Sequence, residues 1–80
     1  MDYDRDKVDE MTLALLFLMA SGYKEGEGAL AWKGANLEVL ERLHQQGWIS
    51  DPKNRDLSLR LTEAGYRRCR ELFEKHFGVG

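Results

Sequence analysis

Residues 47–65 read Gly47-Trp48-Ile49-Ser50-Asp51-Pro52-Lys53-Asn54-Arg55-Asp56-Leu57-Ser58-Leu59-Arg60-Leu61-Thr62-Glu63-Ala64-Gly65. Trp48-Ile49-Ser50 has the make-up of a short strand. Asp51-Pro52-Lys53-Asn54 follows, with proline at the position that a type I turn favours. Leu57, Leu59 and Leu61 then alternate with Ser58 and Arg60, the period-two pattern of a half-buried strand. The stretch therefore predicts a β-hairpin whose three leucines face the core while Ser58 and Arg60 face solvent. Thr62 is a suitable N-cap for a helix running from Glu63 to about Phe77.

Upstream, Asn36 caps a second helix over Leu37 to Gln46, which Gly47 ends. Its apolar face carries Leu37, Val39, Leu40, Leu43 and His44. A first helix starts near Asp4 or Asp6, where acidic side chains suit the positive end of the helix dipole, and ends at Ser21-Gly22. Val8, Met11, Leu15, Leu18 and Met19 form one face, expected to dock on the rest of the domain. Leu13, Leu16, Phe17 and Ala20 form a second apolar face. A helix apolar all round must be buried on all sides, so this second face is expected to pair two copies as a homodimer. Residues 22–35, punctuated by Gly22, Gly26, Gly28 and Gly34, read as a loop with a short helical turn around Ala29 to Trp32. The expected architecture is a single domain over residues 1–80, α+β and mostly helical. Its order is winged-helix-like: helix, loop, helix, β-hairpin, helix.

Eighty residues leave room for one domain with a modest core. Cys69 is the only cysteine, which excludes an internal disulfide and suits a reducing compartment. The acidic start Met1-Asp2-Tyr3-Asp4-Arg5-Asp6 lacks the basic region of a signal peptide. The apolar run from Leu13 to Ala20 is far shorter than the roughly 20 residues a bilayer span needs. A cytoplasmic protein without membrane attachment is expected. The formal net charge of −2 and a pI near 5.6 are not the basic balance of a dedicated nucleic-acid domain.

Residues that imitate chemical motifs lack the partners the chemistry needs. Asp2-x-Asp4-x-Asp6 opens like a calcium loop, but Lys7 and Leu13 stand where the loop requires glycine and a bidentate glutamate. Lys33-Gly34 reverses the order of a phosphate-binding loop. His44 and His76 have no second ligand at metal-binding spacing on their own faces. Cys69 sits mid-helix on the buried arc, where it reads as a small core residue rather than a reactive thiol. Trp48 reads as core. Trp32, within Ala31-Trp32-Lys33-Gly34, is the better surface candidate of the two tryptophans. No catalytic residue, metal site or cofactor is expected. Arg42, Lys53, Arg55 and Arg60 are the candidate nucleic-acid contacts, the last three surrounding the hairpin where a wing reaches phosphates.

Leu40-x-x-Leu43-x-x-x-Gly47-x-Ile49, Asn54-Arg55-Asp56 and Leu61-Thr62-Glu63-Ala64-Gly65 resemble the recognition helix, wing and following helix of MarR-type winged-helix regulators, over residues 36–68. That resemblance would put Asn36, Glu38, Glu41, Arg42 and Gln45 on the recognition-helix surface and Arg55 on the wing. Glu38 and Glu41 would repel phosphates, and the long dimerisation helices of those regulators have no counterpart here. With Met1-Asp2-Tyr3-Asp4 at its start and Ala31-Trp32-Lys33-Gly34 in its middle, the whole chain is also similar to a family of short uncharacterised bacterial proteins. The expected function is a non-enzymatic, homodimeric protein-interaction or accessory module. The alternative is a small DNA-binding regulator of MarR-like type, with weak binding.

Overall fold

The side chain of Asp4 accepts a hydrogen bond from the Lys7 amide and so opens the first helix, α1 (Arg5–Met19). A computed structural model describes residues 1–80. After α1 come strands β1 (Ser21–Lys24) and β2 (Gly28–Trp32), helix α2 (Leu37–Gln45), strand β3 (Ser58–Leu61) and helix α3 (Glu63–Phe77). About half the chain is helical. The strands form one antiparallel sheet in the order β1-β2-β3, so the fold is a small α+β domain with helices gathered on one face of the sheet. No helix is long and apolar enough to cross a membrane.

The region expected as a loop with a helical turn is instead the β1–β2 hairpin, which corrects the reading of residues 22–35. The glycines that suggested a loop make the hairpin. Gly26 (φ 82°) lies in its turn, closed by a hydrogen bond from the Glu27 amide to the Lys24 carbonyl. Gly28 (φ 83°) lies against β3, where a Cβ would sit 1.9 Å from the Leu61 carbonyl oxygen. Only glycine permits both that conformation and that approach.

Register explains the core. Ala29 pairs with Leu61 and Ala31 with Leu59, and all four side chains are buried. Leu30 pairs with Arg60 and Trp32 with Ser58 on the opposite, exposed face. Small alanines on the inner face of the central strand let α1 and α3 pack closely on it. The expected inward Leu59 and Leu61 and outward Ser58 and Arg60 are found. Leu57 is a correction: it is exposed, because the ladder ends at Trp32–Ser58 and the chain leaves the sheet there. The expected strand at Trp48-Ile49-Ser50 reduces to a single bridge from Ile49 to Leu61. Hydrogen bonds from Ser50 N to the Arg60 carbonyl and from Thr62 N to the Trp48 carbonyl flank that bridge.

The C-terminal halves of the two apolar faces of α1 are interchanged relative to the expectation, whereas Val8 packs against the core as expected and Met11 is half-buried. Leu13 and Leu16 are buried in the chain's own core, Phe17 and Ala20 pack against it, and Leu15, Leu18 and Met19 are exposed. The proposed dimer face is therefore covered from within. The cause is α3: Phe17 lies 6.0 Å from the Tyr66 ring and 5.3 Å from Phe73, centroid to centroid. Such aromatic neighbours stabilise beyond their area burial. The α3 helix is capped by Thr62 through the Gly65 amide. Gly65 abuts Trp48, whose carbonyl oxygen would lie 1.8 Å from an added Cβ, and this approach seats the start of α3 on the returning chain. In α2, Asn36 accepts from the Glu38 and Val39 amides, and Val39, Leu40 and Leu43 are buried while Leu37 and His44 are exposed.

Candidate functional site

Because β2 turns its small residues inward, it turns its large ones outward. Leu30 (41% exposed) and Trp32 (63%) stand on the solvent face of the sheet, joined by Met19 (40%) from the end of α1 and Leu57 (81%) from the loop before β3. Together with Ser21, Ala31 and Ser58 they line one shallow groove that contains no charged side chain. This groove is the candidate interaction face.

Lys33 fixes the rim of this groove. Its backbone amide donates to the Leu57 carbonyl at 2.9 Å. Its ammonium donates to the Pro52 carbonyl (3.0 Å), the Asn54 carbonyl (2.8 Å) and Asn54 Oδ1 (2.9 Å). One side chain thus holds the 51–57 loop against the end of β2. Gly34 lies beneath the Trp32 ring, where a Cβ would meet the indole at 2.2 Å. The Trp32-Lys33-Gly34 sequence therefore has a local reason: a ring laid over a glycine beside a lysine that clamps the neighbouring loop. Trp32 is exposed, as its surface candidacy required. Met19, Leu30 and Leu57 were not singled out from sequence as surface-site residues. For Leu30 the signal was the small-large alternation of Gly28-Ala29-Leu30-Ala31-Trp32, a strand period with the bulk on the outer side.

The four candidate nucleic-acid residues go to different places. Arg42 turns toward α1 and forms a two-pronged ion pair with Asp9, Nε to Oδ2 at 2.6 Å and Nη2 to Oδ1 at 2.7 Å. Asp9 is 4% exposed, and its hydrogen bonds hold Arg42 more firmly in the charged form. Lys53 approaches Glu41 at 3.8 Å. Arg60 donates to the Glu27 carbonyl at 3.2 Å. Arg55 is exposed on the 51–57 loop.

The remaining titratable groups are tied into the fold. Glu63 accepts from the Tyr23 hydroxyl (2.7 Å), the Gly26 amide (3.0 Å) and Arg67 Nε (3.0 Å), which fastens the β1–β2 turn to the start of α3. Tyr23 also stacks on Tyr66 at 4.1 Å. The Tyr23 hydrogen bond, foremost, holds the Glu63 carboxyl below its ordinary range and raises the Tyr23 phenol. His76 Nε2 donates to Glu10 at 2.8 Å, and this bond lowers the Glu10 carboxyl. His44 Nδ1 lies 2.9 Å from the Ile49 carbonyl. Burial pushes the Cys69 thiol up to about 11, and its Sγ donates to the Tyr66 carbonyl. A cleft of about 200 Å³ lies between the helices, lined by Asp9, Glu10, Gln46, Trp48 and Arg68 among others. Most of its polar side chains have partners within the chain: Asp9 pairs with Arg42, Glu10 with His76, Arg68 with Glu71, and the Trp48 indole donates to Gln46.

Against known families, residues 4–79 match the domain of unknown function DUF6429. The chain belongs to this family. A DUF6429 assignment over nearly the whole length agrees with the similarity to short bacterial proteins read from its start and middle. A curated relative, "Uncharacterized protein y4hR" of Sinorhizobium fredii (strain NBRC 101917 / NGR234), is 43% identical over 77 residues, covering 96% of this chain and 97% of the relative. No solved structure gives a significant match.

Proposed function

We propose that this DUF6429 domain is a non-enzymatic interaction or accessory module of the cytoplasm that docks a protein partner through the outer face of its sheet. The observation that carries the reading is the uncharged groove of Met19, Leu30, Trp32 and Leu57, held open at its rim by the Lys33 clamp. The groups that a reaction would draw on have structural employment instead: Cys69 in the core, His76 on Glu10, His44 on Ile49. The winged-helix-like build belongs to the same proposal, since α2, the return through residues 48–61 and α3 follow one another in winged-helix order.

The competing reading, a small DNA-binding regulator, draws on exposed Lys53, Arg55 and Arg60. Against it stand Arg42 turned onto Asp9 and Lys53 beside Glu41. Contacts from a few cations give weak, sequence-independent binding that fades as salt rises. A pull-down from the native host with wild type and the Trp32→Ser/Leu57→Ser double variant tests both readings. A protein retained by the wild type and lost from the variant supports the docking face, and equal retention by both overturns it. Sequence-specific DNA binding of nanomolar affinity, lost in Arg55→Ala, would establish the regulator instead.

A further inference from the structure

We draw no further inference here: the strongest candidate, the cleft between α1, α2 and α3 lined by Asp6, Asp9, Glu10, Trp48 and Arg68, carries nothing because it is an acidic cluster whose one buried carboxylate, Asp9, is already paired with Arg42, and no buried polar side chain is left unpartnered to point to a ligand.

Discussion

The two apolar faces of α1 yield a sharp test, because Leu16 and Leu18 lie two residues apart and differ completely in environment. Leu16 is 0% exposed and Leu18 is 66% exposed. Replacing Leu16 with alanine removes a fully buried side chain and leaves a cavity beside the core. Leu→Ala changes at such sites cost roughly 2–5 kcal/mol. An 80-residue domain has a total stability of the order of 4–12 kcal/mol, so the loss is a large fraction of the whole. At about 4–8 °C per kcal/mol for domains of this size, the midpoint should fall by roughly 8–40 °C. Leu18→Ala removes mostly solvated surface and substitutes a better helix former, so its effect should stay within about 0.5 kcal/mol. Urea and thermal melts followed by circular dichroism at 222 nm, at about 2 μM to limit self-association, measure both. Equal losses, or a larger loss for Leu18→Ala, would show that α1 docks through the face carrying Leu15, Leu18 and Met19 and would refute the packing described here.

Lys33→Met removes the clamp on the 51–57 loop, and limited trypsin digestion should then cut after Lys53 or Arg55 several-fold faster than in wild type; unchanged cleavage would show that the loop holds itself. Glu63 has its carboxyl lowered in the folded state, so its contribution is present above the ordinary value of 4.5 and lost as pH falls below it. Glu63→Gln should accordingly be less stable than wild type at pH 7, with the gap in urea midpoint closing toward pH 3, and a gap independent of pH would contradict the assignment. With its thiol pushed up to about 11 and buried, Cys69 should react with a disulfide reagent at pH 8 only as fast as the domain opens, and rapid stoichiometric labelling of the native protein would place it at the surface.

Local chemistry made much of the chain legible. Asp4, Asn36 and Thr62 cap the helices they were expected to cap, because a side-chain oxygen beside free amides needs no tertiary context. Leu59 and Leu61 face inward and Ser58 and Arg60 outward because alternation is a property of the strand itself. The similarity to short bacterial proteins, read from Met1-Asp2-Tyr3-Asp4 and Ala31-Trp32-Lys33-Gly34, agrees with the family found for residues 4–79. Along α3, Arg70 pairs with Glu74 and Arg67 with Glu63, each one helical turn away.

What tertiary structure alone decided is which apolar surface is inside. Helical periodicity finds two greasy arcs on α1 but cannot rank them. The ranking comes from the aromatic row Tyr66, Phe73 and Phe77 on α3, which lies some 50 residues further along the chain and receives Phe17. The β1–β2 hairpin was hidden for a related reason. Its central strand inverts the usual pattern, placing Ala29 and Ala31 inward so that helices can approach, and leaving Leu30 and Trp32 to solvent. Arg42 looked like a surface cation until α1 brought Asp9 to it across 33 positions of sequence. Caps, turns and alternation depend on neighbours within a few residues and are therefore written locally. The choice of buried face depends on what the rest of the chain brings against it, and in this protein that choice also created the groove.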